Sequence, residues 1–264
     1  MEVFVIRGTD RVTFTDGVEL HENAIIDNVL GASYPLSPSA TWALELLRDG
    51  RDVTSAAMVL AADASVHPAR ADHDLRALVK QLNGAWLVNI RPSNRLLDAL
   101  TRPWVYRRYE LPARSPWGLV LNVAGVVARA HWPLWLTVAA VTALLSLALP
   151  AAASAAVTLA VGSAASLIAH ESGHALAARR WTAGCFMASS LASGVSVVHP
   201  IGARDHWIAA AGPLAAVVTG LVILLALWPL QPMWAVIAAV PFTFHAVGGV
   251  ILFSDGRRLA AGAQ

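Results

Sequence analysis

Four apolar stretches fill most of the second half of this chain, and they constrain its fold more than any other feature. They are Trp132–Leu149, Ser154–Ala178, Trp207–Trp228 and Met233–Phe253. Each approaches the ~20 residues that a helix needs to cross a bilayer. The links between the first and second (Pro150–Ala153) and between the third and fourth (Pro229–Pro232) carry no charge. Every later arginine falls at the opposite ends: Arg114 and Arg129, Arg179-Arg180, Arg204, and Arg257-Arg258. Basic residues stay on the cytosolic side of a membrane, so this pattern predicts four spans with both termini and the 179–206 segment in the cytosol. Composition agrees. Hydrophobic residues make up 56% and charged residues 14%, against about 25% charged in a soluble domain. A wholly soluble enzyme is thereby disfavoured. Fourteen of the seventeen acidic residues lie in residues 1–110, and only Glu171, Asp205 and Asp255 follow. The first part therefore reads as a soluble domain and the second as membrane.

No apolar run follows Met1, so a signal peptide is not expected and the N-terminus should remain cytosolic. The single cysteine, Cys185, excludes an internal disulfide framework and a cysteine zinc cluster. Eighteen arginines against one lysine, Lys80, with heavy alanine use, point to a bacterial source. Residues 2–6 and 24–30 read as short strands. Three helices follow: one from Ser37-Pro38 to Asp49-Gly50, one from after Asp52 to about Ala62, and one from Pro68 to Asn83-Gly84. In the third, Leu75, Leu78, Val79 and Leu82 share a face. A last strand covers 85–90. The fold class expected is a multi-pass α-helical membrane protein with an N-terminal α+β, winged-helix-like domain. The domains would be 1–92, a juxtamembrane linker over 93–131, and a membrane domain over 132–264. Within the linker, Trp117 to Arg129 is weakly amphipathic, which suits either a segment lying at the membrane interface or, the plainer expectation, an ordinary juxtamembrane anchor.

The second apolar stretch contains His170-Glu171-Ser172-Gly173-His174. Histidines four apart on a helix stand on one face, where both imidazoles can hold one zinc ion. Glu171 beside them can take a proton from zinc-bound water, whose pKa the metal lowers towards ~7. Ionisable side chains on an apolar helix are expensive and functional by default; the plain alternative is a set of polar contacts between helices. A catalytic zinc site needs a third protein ligand and an open position. The candidates are Asp205, Asp255, His199, His206 and His245. Depth along the helices leaves Asp255 and His245 both possible. Gly256 favours the aspartate, because a helix that breaks there can turn the carboxylate inward. His199, Asp205 and His206 fall in the cytosolic segment, where a solvated loop is expected.

His170-Glu171-Ser172-Gly173-His174 in one span, and Ser254-Asp255-Gly256-Arg257-Arg258 ending a later one, resemble the site-2 protease family of intramembrane zinc metalloproteases. Ala211-Gly212-Pro213-Leu214 also matches a stretch common in that family. The resemblance covers about residues 150–258. It implies a Zn2+ cofactor held by His170, His174 and Asp255, with Glu171 as catalytic acid/base, and cleavage of a peptide bond within the membrane. Two departures stand out. Val247 and Val250 occupy the spacings where the family has Asn and Pro, and the Asn that often follows Gly-Pro is Ala here. His245 could supply the missing polar group, as an oxyanion or supporting partner, or could serve as a polar contact between helices.

The N-terminal part resembles the PqqD-like precursor-peptide-binding domains, through Leu36-Ser37-Pro38-Ser39-Ala40, Leu44-Glu45-Leu46-Leu47-Arg48-Asp49-Gly50 and Gly84-Ala85-Trp86-Leu87. That likeness implies a peptide partner added as a strand. Nucleic acid is not an expected partner, since this part is slightly acidic and lacks a basic recognition helix. The expected function is leader removal from a precursor peptide at a bacterial plasma membrane. Regulated proteolysis of a membrane-bound signalling protein shares the chemistry. A catalytically silent precursor anchor is the alternative from another class.

Overall fold

The computed structural model describes residues 6–94, 105–111, 115–181, 185–190, 194–199 and 204–251, with Leu96, Asp98 and Leu100 between them. At residues 190 and 249–251 it describes the backbone alone. The chain divides into two compact units, one of residues 1–110 with 186–200 and one of residues 111–185 with 201–264.

In the first unit, β1 (Arg11–Phe14), β2 (Val18–His21), β3 (Ala24–Asp27) and β4 (Ala32–Pro35) precede α1 (Pro38–Arg48), α2 (Val53–Asp63) and α3 (Pro68–Gly84). Strand β5 (Val88–Arg91) then pairs antiparallel with β1, while β2, β3 and β4 form an antiparallel meander. Glycines make the tight turns: Gly17 and Gly31 take φ of 77° and 64°, a region open to glycine at little cost. The helix starts follow local chemistry. Ser37 Oγ accepts the Ala40 N–H at 3.2 Å and the Asp52 carboxylate accepts the Ser55 N–H at 2.7 Å, each satisfying a donor that the helix leaves orphaned. Proline follows the cap in α1 and α3. Leu44, Leu47, Val53, Val79, Leu87, Val88 and Ile90 form the core, all under 2% exposed.

The first strand expected from sequence, 2–6, lies outside the described residues except for Ile6. The second shortens to β3, and β1, β2 and β4 are additional. Helix α3 ends at Gly84 as expected, but the strand after it begins at Val88 rather than at residue 85. The left-handed turn falls on Trp86, at φ 60°. The strain at this bulky residue is offset by burial, because Trp86 packs on Phe186, Ala188 and Val198.

Those three residues belong to a hairpin that the sequence reading had assigned to a solvated loop. After β6 (Arg107–Glu110), the sheet is completed by β7 (Phe186–Ser190) and β8 (Gly194–Val198), antiparallel in the order β6-β7-β8. His199 is correspondingly buried, at 6% exposure. The unit thus runs past residue 92 and recruits chain from beyond the second apolar stretch. Arg108 of β6 is its internal tie. Its guanidinium bonds the Asp27 carboxylate at 2.5 and 3.2 Å, donates to the Asp16 carbonyl at 3.0 Å, and sits 4.5 Å from the Phe186 ring centroid. Asp27 also accepts the Val29 and Leu30 N–H groups. Both ionic side chains are at most 1% exposed. Removing one partner of a buried pair strands the other charge at a cost of about 3–5 kcal/mol, whereas replacing both by apolar groups is often neutral. Asp27→Ala is expected to accelerate hydrogen exchange across β2 and β3 in the full-length protein, and Asp27→Leu with Arg108→Met to restore most of the protection. Unchanged exchange in Asp27→Ala would show that the pair does not hold the unit.

The second unit is helical: α4 (Pro116–Ala130), α5 (Trp132–Ala148), α6 (Pro150–Trp181), α7 (Asp205–Leu227) and α8 (Pro232–Ile251). Helices α6 and α7 are each long and apolar enough to cross a membrane, and α4 with α5 passes the same test as one pair bent by 71°. Helix α8 is apolar but shorter over its described residues. The chain is thus multi-pass in character, with two such helices, or three counting the bent pair. Helices α6, α7 and α8 pack on one another through glycines. A Cβ at Gly162 would stand 2.9 Å from the Ala238 carbonyl oxygen, and one at Gly220 would stand 2.6 Å from Phe242 Cβ. A Cβ at Gly173 would overlap the Ala211 carbonyl. Small residues let membrane helices approach this closely, and close packing is what holds such helices together. Their outward rows, including Leu144, Val161, Leu221, Leu225 and Phe244, are exposed and apolar.

Candidate metal centre

Helix α6 continues unbroken through His170-Glu171-Ser172-Gly173-His174, so the two histidines lie one turn apart on one face. All five residues are buried; His170, Glu171 and His174 are 6%, 5% and 6% exposed. The two Nε2 atoms are 3.1 Å apart, with ring centroids at 4.7 Å and planes at 80°. Two zinc–nitrogen bonds of about 2.0–2.1 Å meeting at the tetrahedral angle put their nitrogens about 3.3–3.4 Å apart. The pair already stands near that separation.

The surroundings of His174 define its orientation. Its Nδ1 lies 2.6 Å from the Ile208 carbonyl oxygen of α7. A carbonyl only accepts, so a hydrogen on Nδ1 satisfies this contact and the ring is turned with Nε2 towards His170. Metal-binding histidines are commonly oriented by such a bond from the other ring nitrogen. The ring reaches this position because residue 212 is glycine: a Cβ at Gly212 would fall inside the His174 imidazole. Gly173, on the same helix, admits the Ala211 carbonyl. Two glycines, one on each helix, therefore bring the Ile208 carbonyl within reach of His174. Two imidazoles so held could supply two of the three protein ligands that a catalytic zinc ion needs.

Asp255, with Ser254, Gly256, Arg257 and Arg258, lies outside the described residues. Among the described residues, no third His, Cys, Asp or Glu joins His170 and His174 in one cluster. Asp205 begins α7 and His206 follows it, its ring centroid 5.4 Å from that of Trp207 with the planes tilted by 45°. His245 sits on α8 with its ring centroid 6.1 Å from that of His170. Its Nδ1 is 2.8 Å from Ser166 Oγ and 3.2 Å from the Pro241 carbonyl oxygen, and Ser166 donates to the same carbonyl at 3.1 Å. Of the roles open to His245, the contact seen is the polar tie between helices. Ser166, Gly212 and the Ile208 carbonyl went unread in the sequence as parts of the site. Ser166 alone had a signal, since it precedes His170 by one turn.

Cys185 follows α6 and is buried. Burial, and next the charge of Glu171, push its thiol up to about 12. A thiol reacts as its thiolate, so iodoacetamide should leave the native protein unlabelled at neutral pH and modify it only after denaturation. Rapid labelling of native protein would show an exposed thiol instead.

The chain matches no protein-family model, no curated protein and no solved structure.

Proposed function

We propose that this chain is a membrane-embedded zinc endopeptidase that cleaves a precursor peptide captured by its N-terminal unit. The observation that carries the reading is the His170–His174 pair, 3.1 Å apart and oriented by the Ile208 carbonyl, on an apolar helix beside Glu171. Zinc bound there would supply a water acidified towards pH ~7 and a Lewis acid for the scissile carbonyl. Glu171 accepts the proton of the attacking water and returns it to the leaving amine. His170 and His174 hold the metal through Nε2, and Asp255 is the third ligand in this reading. Helices α7 and α8, packed on α6, keep bulk water from its inner face. The four-span arrangement, with both termini and the β7–β8 hairpin in the cytosol, follows from the placement of arginine.

Peptide capture has support in the first unit. Strands β1 and β2 splay from the turn at Gly17 without pairing, and a cleft of about 490 Å³ lies between them, lined by Val12, Phe14, Val18, Leu20 and Arg48. An extended segment with alternating apolar residues suits such a cleft, since a strand presents one side chain in two to each face.

Metal analysis tests the centre. Protein purified in detergent should hold about one zinc per chain, as a single catalytic site requires, and His170→Ala or His174→Ala should lose it. Full zinc occupancy in both variants would end the metalloprotease reading.

A further inference from the structure

Helix α4 has three faces where a helix crossing a bilayer beside its partners has two. Leu119, Val123, Val126 and Ala130 are buried, and α4 packs on α6. On the opposite side Trp117 and Leu121 are 79% and 71% exposed. With Ala124 and Ala128 they recur at helical spacing, so they form one apolar row. Between these two faces runs a polar flank. Asn122 and Arg129 are seven residues apart, and the Arg129 guanidinium lies back over Gly125, where a Cβ would stand 3.2 Å from it.

A charged side chain such as Arg129 is costly among acyl chains and costs little along a headgroup plane. Length and charge agree with the second environment. Fifteen residues span about 22 Å at 1.5 Å each, well short of the ~30 Å hydrocarbon core. Arginines flank α4 at both ends, Arg114 before it and Arg129 in its last turn. A crossing helix would bring one of them through to the far side. The 71° bend between α4 and α5 marks where the chain changes direction.

We propose that α4 lies flat in the cytosolic leaflet, with Trp117, Leu121, Ala124 and Ala128 among the acyl chains and Asn122 and Arg129 at the phospholipid headgroups. The occupant of the exposed row is lipid, because the row is apolar along its length and the flank beside it ends at Arg129, a cation suited to anionic headgroups. The proposal rests on the membrane reading of α5–α8.

Spin labels test it. In a Cys185→Ser background, single cysteines replace Trp117, Leu121 and Ala128, and a fourth replaces Val161, exposed on α6. The labelled proteins are reconstituted in phosphatidylcholine–phosphatidylglycerol vesicles, and depth is read from relaxation by oxygen against a water-soluble nickel chelate. The three α4 sites should report one common shallow depth, and residue 161 a much deeper one. A crossing helix would instead deepen steadily by about 16 Å from 117 to 128, at 1.5 Å per residue, and would overturn the proposal alone. Shielding of all three sites from both reagents would place protein, such as a second copy of the chain, on the row, and would overturn it equally. A water-exposed residue 161 would overturn the membrane reading and the proposal together.

Discussion

Glu171→Gln is expected to lower peptide-bond cleavage by about 10²–10⁴-fold, the usual share of a positioned acid–base group, and to leave zinc bound. Glutamine has nearly the volume and shape of glutamate, so the packing around this buried position survives. What it loses is the lone pair that takes the water's proton. His170 and His174 stay in place, because their 3.1 Å contact and the Ile208 bond do not involve Glu171. The substrate for the assay is the product of a precursor-like reading frame beside the gene, with products identified by mass spectrometry. Cleavage at the parental rate would remove the protease reading and leave a non-catalytic anchor. Asp255→Asn, in contrast, should weaken zinc binding and activity together, as loss of a charged ligand requires.

Gly212→Val should abolish zinc binding although residue 212 ligates nothing. The ring of His174 occupies the space a side chain would need, and neither helix can yield easily. Gly173 already brings the α7 backbone at Ala211 into contact with α6, so moving α7 outward would break that seam and withdraw the Ile208 carbonyl. The ring can escape only by rotating, which takes Nε2 away from His170. Supporting contacts of this kind are worth about 10–100-fold in metal affinity when lost, and here the ligand itself is displaced as well. Gly220→Ala is the control. Gly220 lies on the same α7 helix, so the added methyl crowds Phe242 of α8 and should destabilise the bundle while sparing zinc stoichiometry. Equal zinc in Gly212→Val and the parent would mean that His174 is not a ligand.

The elements that were legible in sequence were those with a local chemical signature. Ser37-Pro38, Asp52 and Pro68 each mark a helix start, and α1, α2 and α3 begin beside them. Of the four-residue strands, β3 and β5 were legible as 24–30 and 85–90, but β1, β2 and β4 were not. Asp16-Gly17 and Gly31 interrupt the alternation before it repeats, and in the β7–β8 segment Ser, Ala and Gly dilute the strand signal of Val195, Val197 and Val198. At the site, the i, i+4 histidines could be read because helix geometry alone joins them. The Ile208 carbonyl could not, since every residue has one and only the tertiary fold selects it. Gly212 lay in view as part of Ala211-Gly212-Pro213-Leu214, but its purpose, room for an imidazole from another helix, exists only after packing.

The third sheet also imposes an order on synthesis. Strand β6 pairs with β7, yet the whole of α4, α5 and α6 is translated between them. At roughly 5–20 residues per second, β6 waits about 4–15 s on the ribosome for its neighbour. During that interval Arg108 can reach Asp27, but Phe186, the ring it rests on, does not yet exist. The first unit therefore finishes folding only after the helix bearing His170 and His174 has emerged, and its completion reports that this helix has been made.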